Sequence, residues 1–137
     1  MLYCYILGCG IACLIFTGIS SMDTVVVGKT PGGIPVHADK AAAEADAIIP
    51  VGRIKPHPEF RGNYESGLMK MIAIGLGKQK GADICHDLGF GKMAENIPAI
   101  GKAALEKANI IFAVGILENA YHETCQIEVL DNKEIES

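Results

Sequence analysis

Short apolar runs alternate with helix-forming stretches through most of this chain, and this alternation limits the fold more than any other feature. Strands are predicted at 24–28, 47–51, 109–115 and 126–130. Helices are predicted at 40–47, 65–76 and 92–108, and a short helix or turn at 82–88. Asp39 is expected to cap the first helix, and Gly52 to end the strand 47–51. Parallel strands need crossover connections, which are usually helices, so the order predicts a Rossmann-like α/β domain with a largely parallel sheet and flanking helices.

Size, charge and cysteine usage exclude several classes of protein. The 137 residues suffice for one domain, and no linker interrupts the pattern from Ser21 to Leu130. The net charge is −4, and no basic stripe or aromatic platform points to nucleic acid as a partner. The five cysteines are odd in number and follow no disulfide framework, so reduced thiols and a cytoplasmic location are expected.

The N-terminal segment 1–21 is apolar and is treated separately from the α/β domain expected at 22–137. Residues 2–20 are numerous and apolar enough to cross a membrane as a helix. No basic residue precedes Lys29, so a signal peptide lacks its n-region and a spanning helix lacks an orienting charge. Four interpretations stay open: a membrane helix, a cleaved signal, a buried strand, or a segment foreign to the domain.

The stretch from Val51 to His86 carries the chemistry, because it follows a predicted strand and open α/β sheets bind ligands at the carboxyl ends of strands. His57 lies between two prolines, which suits either a rigid acid–base histidine or a surface histidine in a turn. His86 is a candidate metal ligand or an ordinary residue at a helix end.

Lys70 is unusual because it lies in an apolar helical stretch between Met69 and Met71. Burial of a lysine favours its neutral, nucleophilic amine, so this residue is a candidate for covalent chemistry. Helix geometry alone favours the alternative, in which Lys70 lies on the solvent face and its stem covers apolar surface.

Three glycines and two lysines follow within seven residues: Gly75, Gly77, Lys78, Lys80 and Gly81. They predict a loop that could hold a phosphate through backbone N–H groups and ammonium charge. The segment is neither a Walker loop nor a dinucleotide fingerprint.

Weaker signals lie elsewhere in the chain. A zinc site could be drawn from Cys85, His86, His122 and Cys125, but their spacing repeats no known pattern. Glu118 and Asn119 follow a predicted strand, where ordinary strand-end polarity is the simpler explanation.

Several motifs together resemble the lactate racemase N-terminal domain family. They are Arg53–His57, Phe60–Gly62, Glu65–Met71 and Gly75–Ala82. The resemblance extends from about Ser20 to the C-terminus. Leu68-Met69 stands where the family has a glycine–arginine pair, Ile74 stands where it has proline, and the loop between His57 and Lys70 is longer.

The resemblance implies specific roles for the candidate residues. Lys70 would be the attachment point of a nickel-pincer nucleotide, and His86, sixteen residues later, a ligand of its nickel. His57 would exchange the hydroxyl proton of a small 2-hydroxy acid, while hydride passes between the substrate and the lysine-linked cofactor. Gly75, Gly77, Lys78 and Lys80 are assigned to cofactor binding.

Members of this family also have an upstream part and a C-terminal domain, so the chain is expected to be a fragment unable to racemise a substrate alone. One alternative function is a non-catalytic α/β module that binds an anionic metabolite or nucleotide through Gly75–Gly81. The other is an inert remnant of a gene.

Overall fold

A computed structural model of the chain describes residues 4–8, 21–54 and 67–135. Its strands are β1 (Cys4–Gly8), β2 (Thr24–Lys29), β3 (Pro35–Asp39), β4 (Ala47–Ile54), β5 (Phe112–Glu118) and β6 (Thr124–Asp131). Its α-helices are α1 (Lys40–Ala43), α2 (Leu68–Lys70), α3 (Lys78–Asp87) and α4 (Met93–Lys107). A π-helical segment, Met71–Gly75, continues α2, and a 3₁₀ turn, Phe90–Lys92, precedes α4.

The main sheet has the strand order β1-β4-β5-β6 and is mixed. The β1–β4 and β4–β5 pairs are parallel, whereas β5 and β6 are antiparallel. Residues 119–123 join β5 to β6, and so short a connection cannot hold a crossover helix. The α/β class is therefore confirmed, while the largely parallel, Rossmann-like sheet is confirmed only in part.

The β2 and β3 strands form a separate antiparallel hairpin, here called the β2–β3 hairpin. Its turn is held by the backbone N–H of Thr30, which donates to the carbonyl of Ile34. Gly33 in this turn has a φ of 83°, a left-handed conformation that glycine adopts without steric cost.

Two predicted boundaries differ in the structure. The Asp39 cap is confirmed, since its carboxylate accepts the N–H of Ala41 at 2.8 Å, but α1 ends at Ala43 because β4 already begins at Ala47. Gly52 does not end β4, which continues to Ile54. A Cβ on Gly52 would lie 3.5 Å from Leu68 Cδ2, an ordinary van der Waals distance, so α2 packs directly against this part of the strand.

The predicted glycine–lysine loop is wrong. Gly75 ends the π-helical segment, residues 76–77 form a turn, and α3 already begins at Lys78. A Cβ on Gly77 would lie 2.9 Å from Gly81 Cα and 3.1 Å from the carbonyl oxygen of Ala73. The glycines therefore allow close contact between helical segments, and their spacing reflects this packing and not a ligand-binding loop.

The core lies between one face of the main sheet and the helices. Its fully buried members include Ile48 and Ala113 from the sheet, Leu76 from the turn before α3, and Ile97 and Ala104 from α4. Within the N-terminal segment, residues 4–8 are the strand β1, and residues 9–20 fall outside the description. No helix of the described ranges combines the length and apolar character that crossing a bilayer requires.

Candidate functional site

The carboxyl ends of β4 and β5 meet at one edge of the sheet, because the two strands are parallel and Ile54 pairs with Leu117. At this edge Arg53 Nη1 donates to Glu118 Oε1 at 3.1 Å. Only 8% of the Glu118 side chain is exposed, and His122 Nδ1 lies 3.9 Å from its other oxygen, Oε2. Asn119 stabilises the following turn by accepting the N–H groups of Tyr121 and Glu123, which supports the strand-end interpretation of this residue.

The helix that carries Lys70 begins at the same edge. Gly67, which precedes α2, has a φ of 85°, and a Cβ there would lie 3.5 Å from Ile54 Cγ1. The next residue, Leu68, lies against the Cβ-less positions of Gly52 and Gly115 on β4 and β5. The chain thus leaves β4 at Ile54 and returns to contact it at Gly67.

Lys70 lies three residues after Gly67 and is half-buried at the end of α2. Its two helical predecessors, Leu68 and Met69, are buried, so the lysine stem leaves the core beside them. His57 belongs to residues 55–66, which lie outside the described ranges, and it follows Ile54 by three positions in the sequence. In sequence, both residues are therefore close to the Ile54–Gly67 contact.

His86 is exposed in the last turn of α3. The helix α3 packs against the π-helical segment, where a Cβ on Gly81 would lie 3.1 Å from the carbonyl oxygen of Ala73. Convergence of His57, Lys70 and His86 on one pocket stays a prediction.

The structure separates the two lysines of the glycine–lysine motif. Lys78 Nζ lies 2.8 Å from Asp39 Oδ2, with 19% and 2% of the two side chains exposed. Lys80 is exposed and lines an open cleft of about 540 Å³ together with His37 and Lys40. Lys78 therefore neutralises the buried carboxylate of Asp39, whereas Lys80 faces the open cleft.

The cysteines and histidines of the suggested zinc site are not gathered into one. Cys85 is buried, and burial raises the pKa of its thiol from the ordinary value of 9.0. Cys125 is exposed on β6 and donates its S–H to the carbonyl of Leu117 at 3.4 Å. Across residues 4–8, 21–54 and 67–135, no three His, Cys, Asp or Glu side chains form a group able to hold a metal ion.

Sequence reasoning missed the contribution of the β2–β3 hairpin. Asp39 was recognised only as a helix cap, and His37 and Lys40 were not singled out. Their signal was a histidine, an aspartate and a lysine within four residues at a strand–helix junction. Such a junction often presents polar groups to a ligand. The lysines that meet these residues in the fold, Lys78 and Lys80, are about forty residues away in the sequence, so the sequence alone did not reveal the cluster.

Comparison with known proteins gives two results. The sequence model of the lactate racemase N-terminal domain matches residues 11–97, well over half of the chain. The fold is similar to that of the lactate racemase apoprotein from Thermoanaerobacterium thermosaccharolyticum, with a TM-score of 0.62 and 22% sequence identity over 82% of this chain. The similarity covers 28% of that racemase, so this chain spans only part of its length.

A search of curated proteins finds no match. The family match and the fold agree with the resemblance seen in the motifs from Arg53 to Ala82. The chain belongs to the lactate racemase N-terminal domain family.

Proposed function

We propose that this chain is the cofactor-holding part of a nickel-pincer nucleotide-dependent racemase or epimerase that acts on small 2-hydroxy acids. One observation carries the proposal: Lys70 lies within one helical turn of the Gly67–Ile54 contact at the carboxyl edge of the sheet. Ligands of open α/β sheets bind at this edge. The segment that contains His57 starts from the same contact.

The described residues fit such a cofactor in two respects. The half-buried position of Lys70 covers its aliphatic stem, as expected of an amine held in a fixed direction for covalent attachment. His86 is exposed on α3 and can present an imidazole nitrogen to a metal. A single histidine suffices if the bound cofactor brings its own nickel donors, as the family resemblance implies.

In the proposed reaction the cofactor, when bound, supplies the acceptor for a hydride from the substrate carbon. Lys70 would hold the cofactor, and His86 would be a ligand of its nickel. His57 takes the proton of the substrate hydroxyl and later returns it. His57 follows Ile54, the last residue of β4, by only three positions in the sequence.

The alternative, an anionic ligand held by a Gly75–Gly81 loop, has less support. Residues 78–81 belong to α3, and Lys78 is paired with Asp39. An anion-binding function for Lys80 would therefore use neighbours outside that motif.

Intact-mass spectrometry tests the attachment of the cofactor to Lys70. The 137-residue chain is co-expressed with enzymes that make the nickel-pincer nucleotide, and we expect one adduct per chain. Lys70→Ala abolishes it, while Lys92→Ala, a change at an exposed lysine in the turn before α4, retains it. The absence of an adduct on the unchanged chain, or its survival in Lys70→Ala, contradicts the proposal.

A further inference from the structure

We propose that the open cleft beside the β2–β3 hairpin binds a sugar phosphate, with Lys40 and Lys80 as the ligands of the phosphate. The cleft is lined by Met22, Asp23, Thr24, Val25, His37, Lys40 and Lys80. Its volume of about 540 Å³ lies within the range typical of small-molecule sites. The site does not include His57, Lys70 or His86, so it goes beyond the proposed racemase chemistry.

Two ammonium groups reach this cleft from different elements. Lys40 is the first residue of α1 and Lys80 lies in the first turn of α3, and both are exposed. Neither forms an ion pair with any described residue, in contrast to Lys78, whose charge is neutralised by Asp39. Two cations that share a cleft and form no ion pair with a described carboxylate favour a ligand group with two negative charges, such as a phosphate monoester.

A third donor is positioned by the core of the domain. His37 is half-buried on β3 between Val36 and Ala38, neither of which is exposed to solvent. Its Nδ1 lies 3.2 Å from the hydroxyl oxygen of Thr24 on β2. When that hydroxyl donates to Nδ1, the proton of the neutral ring is on Nε2, which can donate to a phosphate oxygen. The hydrogen bond to Thr24 thus fixes the ring for binding.

The carboxylate of Asp23 favours a sugar phosphate over a simple anion as the ligand of the cleft. Its backbone is held on both sides, since its carbonyl accepts the N–H of Lys40 at 3.0 Å and its N–H donates to Ser21 Oγ at 3.0 Å. A carboxylate repels an anion but accepts hydrogen bonds from hydroxyl groups. A cleft with two lysines and one aspartate therefore complements a ligand that carries a phosphate next to hydroxyl groups.

Isothermal titration calorimetry on the full chain tests the site with ribose 5-phosphate, inorganic phosphate and ribose as probes. We expect ribose 5-phosphate to bind most tightly and ribose not to bind. Lys40→Ala and Lys80→Ala each weaken the binding of ribose 5-phosphate about tenfold or more, because each removes a charge-assisted hydrogen bond. Circular dichroism confirms that both variants remain folded.

The matched control is Lys29→Ala, which removes an exposed lysine of the same hairpin that does not line the cleft. This variant and Lys70→Ala keep the affinity of the unchanged chain. Asp23→Asn removes the advantage of ribose 5-phosphate over inorganic phosphate. The proposal is overturned if neither phosphate compound binds, if Lys29→Ala weakens binding as much as Lys40→Ala, or if Asp23→Asn leaves that advantage intact.

Discussion

The ammonium group of Lys78 lies 2.8 Å from the carboxylate of Asp39, and this buried ion pair joins α3 to the β2–β3 hairpin. Asp39 makes two further contacts. Its other carboxylate oxygen accepts the N–H of Ala41, and its own N–H donates to the carbonyl of Leu76 at 2.7 Å. One residue therefore stabilises the start of α1, the end of the π-helical segment and the start of α3.

Loss of this carboxylate is expected to destabilise the domain strongly. Asp39→Ala removes the carboxylate that pairs with Lys78 at 2.8 Å, and loss of one member of a largely buried ion pair costs about 3–5 kcal/mol in the free energy of unfolding. Asp39→Asn also removes the charge but keeps a good helix cap, so it should be more stable than Asp39→Ala by about 1 kcal/mol. Urea unfolding measures both changes, and a loss below about 1 kcal/mol in Asp39→Ala would show that the pair is unimportant for stability.

Gly77 is expected to tolerate no side chain. A Cβ there would lie 2.9 Å from Gly81 Cα, 3.1 Å from the Ala73 carbonyl oxygen and 3.3 Å from the His37 carbonyl oxygen. These are backbone atoms that cannot move aside alone, so Gly77→Ala should lower the free energy of unfolding by about 1–3 kcal/mol.

The matched control is Gly91→Ala, because a Cβ on Gly91 would meet no atom within 4 Å. We expect its stability to stay within about 0.5 kcal/mol of the unchanged chain. Equal midpoints of thermal unfolding for the two variants would contradict the role in packing assigned to Gly77.

Features of the fold that depend on residues close together in the sequence were predictable. The β-branched run 24–28 is a strand, and the Asp39 cap was recognised because its partner is only two residues away. The antiparallel orientation of β6 was not predicted, although the short connection at 119–123 implies it.

The candidate site was predictable only in part, because its decisive contacts are long-range. Lys78 has a φ of 52°, unlike an ordinary helical residue, and its ammonium group pairs with Asp39 of β3. Spacing in the glycine–lysine motif carries no information about that pair. Likewise, the tight fit of Gly77 depends partly on the carbonyl of His37, which belongs to the distant hairpin.

Cys85 and Cys125 should differ in reactivity. Cys85 is fully buried and its pKa is raised by desolvation, whereas Cys125 is exposed. Iodoacetamide should therefore alkylate Cys125 in the native chain at pH 8 and reach Cys85 only on unfolding. Peptide mapping by mass spectrometry measures the two rates, and equal rates would contradict the burial of Cys85.

The raised pKa of Cys85 also predicts that the stability of the fold depends on pH. The folded state binds the thiol proton of Cys85 more tightly than the unfolded state does. Its contribution to stability is therefore complete below the ordinary pKa of 9.0 and is lost as the pH rises through the raised pKa. Cys85→Ala should remove this component of the alkaline destabilisation, which urea unfolding at several pH values would measure.

The most direct test of the account is the nickel content per chain after co-expression with the cofactor-making enzymes. If Lys70 and His86 meet at one nickel centre, His86→Ala keeps the adduct on Lys70 but loses most of its nickel, while Lys92→Ala keeps both. Elemental analysis of the purified chains gives the ratio. Full nickel occupancy in His86→Ala would contradict the claim that this histidine and the Lys70-linked cofactor share a metal.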